Sequence, residues 1–76
     1  MGQQGESGEV SALADELPRQ QARCRELLED AISIGPSGAF LACMLRADLA
    51  RAETAAASGD LVAMMRALQA LQEYSE

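Results

Sequence analysis

The side chains that could do chemistry here are few. The candidate acid/base carboxylates are Glu29-Asp30 and the pair Asp48 and Glu53; Ser37, just ahead of Gly38, is a candidate nucleophile; Cys24 and Cys43 are the thiols. Glu29 and Asp30 are sequence neighbours and point apart on a helix, while Asp48 and Glu53 sit among arginines that neutralise them. Ser37 has no histidine or lysine anywhere in the chain to take its proton, so it reads as a helix N-cap. The cysteines fall on apolar stripes, where a free thiol behaves as a small buried hydrophobe. With no histidine and no Cys-x-x-Cys pair, the usual zinc ligand sets cannot be assembled. The sequence therefore leads to an expectation of no enzymatic activity, no metal and no cofactor.

These residues must be positioned by helices. The chain of 76 residues holds 15 alanines and 10 leucines against two aromatics, Phe40 and Tyr74, a composition that favours helix over strand. Residues 1–11, with three glycines and only Met1 and Val10 as apolar side chains, cannot repay the entropy of ordering and are expected to form a flexible tail. Residues 12–76 are expected to form one domain. Within it, Leu13, Leu17, Cys24, Leu27, Leu28, Ala31 and Ile32 recur every three or four residues, and this spacing predicts a first helix over about 17–33. Pro18 is placed in its first turn, where the missing N–H costs nothing. Gly35-Pro36 stops that helix, and a second is predicted over 38–57. Gly59 and Asp60 supply a C-cap and an N-cap with almost no linker, so the third helix, 61–74, must fold back antiparallel.

The second helix opens Ala39-Phe-Leu-Ala-Cys-Met-Leu45, apolar all the way round. Such a turn has to be covered from more than one direction, and two flanking helices are too few for this. The expected fold is therefore an all-α, three-helix hairpin-type bundle completed by homodimerisation. A chain of this length has a thin stability margin, and a second subunit is one of the standard supplements.

Charge narrows the partners. All six basic residues are arginine, twelve residues are acidic, and the net charge of −6 opposes contact with phosphates. Direct nucleic-acid binding is not expected. The longest apolar run is far shorter than the roughly 20 residues that span a bilayer, and Met1 is not followed by a basic-then-apolar leader. A cytoplasmic protein without a membrane partner is expected. The contact set assigned from the sequence is Phe40, Met44, Met64, Met65 and Leu68, with Arg46 and Arg51 at the rim, because aromatics, methionine and arginine are enriched at protein interfaces. This leads to a small protein-binding module, the alternatives being a self-assembling structural or regulatory subunit and an acidic mimic of nucleic acid.

Two resemblances bear on this reading. The segment Leu49-Ala-Arg-Ala-Glu-Thr-Ala-Ala-Ala-Ser-Gly-Asp-Leu-Val-Ala-Met-Met-Arg-Ala-Leu is similar to the helix hairpins of tetratricopeptide-type repeats, which implies a turn geometry and no ligand. Arg23-Cys-Arg-Glu-Leu-Leu, Ile34-Gly-Pro-Ser-Gly-Ala-Phe and Ala57-Ser-Gly-Asp-Leu-Val-Ala-Met resemble small uncharacterised helical proteins of transposable phages and prophages of GC-rich proteobacteria. That resemblance implies an inhibitor of a host protein, in the manner of anti-CRISPR effectors, and supplies no functional residues to carry over.

Overall fold

The structure, a computed structural model, describes the backbone of residues 2–75 and the side chains of residues 12–75. Three α-helices follow one another: α1 Gly2–Ile34, α2 Ala39–Ser58 and α3 Leu61–Gln72, with a short 3-10 turn, Pro36–Gly38, between α1 and α2. No strand occurs among the described residues. The fold is an all-α three-helix bundle. The tail expected over residues 1–11 lies outside the residues whose side chains are described.

The bundle closes on one apolar seam. Leu17 and Cys24 of α1, Leu45, Leu49, Ala52 and Ala55 of α2, and Ala67 and Leu71 of α3 form the buried cluster, and Leu27, Leu28, Met64 and Leu68 pack against it from the sides. Leu17, Cys24, Leu45 and Leu71 are sealed completely. Each buried side chain of this size contributes about 1.5–3 kcal/mol. The many alanines let the helices lie close, so a small core suffices. No buried side-chain nitrogen or oxygen lacks a partner among the described residues.

Three local features depart from the sequence expectation. Residues 12–17 are already helical, so Pro18 lies inside α1 and not in its first turn. An interior proline costs about 3 kcal/mol by removing an N–H and crowding the carbonyl four residues earlier. Here Pro18 and Ala14 are both exposed, while on the same stretch Leu17 is buried in the core and Leu13 is half-buried. Their burial offsets the lost hydrogen bond.

The second departure is at the α1–α2 turn. Gly35 adopts φ 88°, ψ −143°, a region open only to glycine, rather than the ordinary left-handed cap. The 3-10 turn then absorbs Ser37, and Gly38 caps α2 with no side-chain hydrogen bond, so the expectation of Ser37 as N-cap fails. Gly38 is buried, and a Cβ there would come within 2.1 Å of the Ala31 carbonyl oxygen. Glycine is required because α2 starts directly against α1.

The third is Cys43, expected to be buried but exposed on the outward face of α2 next to the buried Ala42. The α2–α3 junction follows expectation. Gly59 is left-handed (φ 72°) and donates to the Ala55 carbonyl at 3.2 Å, and Asp60 Oδ1 accepts from the Val62 and Ala63 amides at 3.0 and 3.3 Å.

Candidate functional site: an uncovered apolar face on α2

The site follows from unequal helix lengths. α2 has 20 residues and α3 only 12, and because α3 folds straight back it ends about 12 Å short of the start of α2 at a rise of 1.5 Å per residue. Polar contacts fix where it stops. Tyr74, just past α3, donates its hydroxyl to Asp48 Oδ2 at 2.5 Å, and Asp48 stands nine residues into α2. On the other side Arg23 donates to the Leu71 carbonyl at 2.9 Å, and the Cys24 thiol reaches the same oxygen at 3.5 Å. A guanidinium at a helix C-terminus satisfies its carbonyls and complements its dipole.

Beyond that level only two helices remain. The stretch of α1 after Cys24 and the first two turns of α2 have no third helix over them. Phe40 is 78% exposed, with Ile34 at 62%, Ile32 at 51%, Met44 at 42% and Leu41 at 40% around the same end. Large apolar side chains scattered singly are ordinary on a protein surface, but a contiguous group is not. Leu41, Met44 and Asp48 of α2 also line an open hollow of about 510 Å³ together with Glu73 and Tyr74.

The residues assigned from the sequence divide between two places. Phe40 and Met44 lie on the uncovered end of α2, and Arg51 continues their face, since positions 40, 44, 47 and 51 share one side of a helix. Arg46 falls on a different flank of α2. Met64 and Leu68 pack against the core, whereas Met65, 53% exposed, lines a second hollow between α1 and α3 with Leu13, Glu16 and Arg19. The structure thus does not bring all seven onto one surface. Ile32, Ile34 and Leu41 were missed, because the periodicity of α1 places Ile32 on its buried stripe and gives no sign of where α3 ends.

Of the candidate chemical groups, Asp48 and Cys24 are engaged in structure. Asp48 Oδ1 accepts from Arg51 Nη1 at 2.8 Å while Oδ2 holds Tyr74. Partial burial and the bond to the Asp48 carboxylate push the Tyr74 hydroxyl up to about 12. Burial likewise raises the Cys24 thiol, with the Arg23 charge opposing and the Asp48 charge adding to the rise. A thiol held protonated in an apolar seam is a poor nucleophile. Arg19 pairs with Glu16 at 3.2 Å on the outer face of α1.

Compared with protein-family models, curated proteins and solved structures, the chain matches none. No helix among the described residues is long and apolar enough to cross a membrane.

Proposed function

We propose that this chain is a non-enzymatic protein-binding module that acts by pressing the outer face of α2 and the adjoining α1–α2 turn against another polypeptide. One observation carries the reading: Phe40, the largest apolar side chain of the molecule, stands 78% exposed in the opening turns of α2, where Leu41 and Met44 are exposed as well. Leaving such a group in water forfeits about 1.5–3 kcal/mol per large side chain relative to burial. In a bundle of this size that loss is a large part of the total stability, which argues for a surface kept open for use. The resemblance to small phage and prophage proteins adds a host protein as the kind of target a foreign partner would be.

The test is a photo-crosslinkable phenylalanine analogue at position 40, compared with the same analogue at Glu29 on the exposed side of α1. After irradiation in the producing cell, polypeptide adducts should form at position 40 and be several times weaker at position 29. Equal labelling at the two positions, or none at position 40, would count against a docking face on α2.

A further inference from the structure

We infer that the polypeptide covering α2 is a second copy of this chain, lying antiparallel along α2 about a two-fold axis between Met44 and Ala47. The inference rests on the protein-binding reading above and names its partner. Three observations lead to it.

The first is shape. Phe40, Met44, Ala47 and Arg51 follow one another at intervals of four, three and four, the spacing of a helix–helix seam. An antiparallel pairing centred between Met44 and Ala47 sets Met44 against the partner's Ala47 and Phe40 against the partner's Arg51, and by symmetry the reverse. At the centre of the seam the large Met44 then faces the small Ala47, so the helices can approach closely there. The aromatic ring meets a guanidinium, a favourable stacking pair. All four are exposed, and Arg51 is oriented by its bond to Asp48. Cys43 and Ala50 flank the seam as further small, exposed side chains. Few surfaces complement themselves in this way, and an isologous contact requires it.

The second is charge. Arg46 and Arg51 balance Asp48 and Glu53, so α2 is neutral and the whole net charge of −6 lies on the rest of the chain. Two copies meeting through α2 bring no like charges into the seam, whereas contact through α1 would confront one row of carboxylates with another.

The third is area. The exposed apolar group around Phe40 amounts to on the order of 500 Å² per copy. Doubled, it reaches the roughly 1,000 Å² that a specific interface needs. The same pairing would give each copy a fourth helix, the partner's α2, beside its own α2. The α1–α3 hollow around Met65 stays outside this interface.

Analytical ultracentrifugation of the purified chain, from low micromolar to several hundred micromolar, tests the inference. The expected result is a reversible monomer–dimer equilibrium, the mass rising from 8.0 kDa toward twice that value. Ala47→Arg and Phe40→Ser should each weaken association at least tenfold while keeping the helical circular-dichroism spectrum and cooperative unfolding. Glu53→Gln, off the seam, should change it less than twofold. A wild-type chain that stays monomeric throughout overturns the inference, as does a dimer indifferent to both seam variants, or an open-ended series of larger assemblies. The crosslinking experiment separates the two levels: a monomeric chain whose position 40 captures a different protein leaves the docking face standing and removes only self-pairing. A monomeric chain that captures nothing removes both.

Discussion

Asp48 holds two neighbours at once, Arg51 on its own helix and Tyr74 at the end of α3. The tyrosine contact joins α2 to the last turn of the bundle, and its removal has a readable size. Tyr74→Phe should lower the unfolding free energy by about 1–2 kcal/mol, the range for a partly exposed hydrogen bond to a charged acceptor, as measured by urea denaturation. The same bond makes stability depend on pH. The folded chain keeps the phenol proton up to about pH 12 while the unfolded chain releases it near pH 10. The contribution is thus complete below pH 10 and disappears as the pH rises toward 12. Wild type should lose stability over that interval and Tyr74→Phe should not share this loss; parallel curves for the two would contradict the assignment. The thiols differ in burial. An aromatic disulfide reagent should modify Cys43 in the native protein within minutes and Cys24 only on unfolding, since Cys24 is 0% exposed.

Gly38 and Pro18 show what each helix pays for its place, and they are also where the sequence was least legible. The three helices, the glycine and aspartate at the α2–α3 junction and the core stripe of α1 could all be read from spacing, because local caps and periodicity write them directly. The need for glycine at position 38 could not, since it comes from the approach of the Ala31 carbonyl across the turn. Gly38→Ala should destabilise the bundle by about 1–3 kcal/mol through overpacking against backbone, a loss seen as a lowered thermal midpoint. Pro18 misled in the other direction: its chemistry favours a helix start, yet Leu13 and Leu17 bury on the same side and carry the helix through it. Pro18→Ala should therefore stabilise, by up to about 3 kcal/mol, by restoring the amide that the Ala14 carbonyl lacks. No gain would mean that α1 effectively starts at the proline. The candidate site was legible only in part for the same reason. Phe40 and Met44 stood out as too apolar for a helix with so few neighbours, but the exposure of Ile34 and Leu41 depends on where α3 stops, which Tyr74, Arg23 and Asp48 decide through contacts distant in sequence.

Taken whole, the molecule is lopsided, sheltered by three helices at one end and by two at the other. Its acidic surplus lies away from α2, so copies that meet through α2 still repel through the remainder of their surfaces. Salt screens such repulsion, with a Debye length of about 10 Å at 0.1 M. Association should tighten severalfold between low and moderate ionic strength, the reverse of a contact built on opposite charges, and sedimentation at several salt concentrations would show the sign.

The central claim is that Phe40 is open to water in the lone chain and covered by another polypeptide when the protein works. Phe40 is the only phenylalanine of the sequence, so a 4-fluorophenylalanine label gives a single fluorine resonance reporting on that position. In dilute solution this resonance should show the full solvent-isotope shift between H₂O and D₂O, and on concentration it should move and lose that shift. A resonance already insensitive to solvent in the isolated monomer, or one that remains fully sensitive both in concentrated protein and inside the producing cell, would contradict the account.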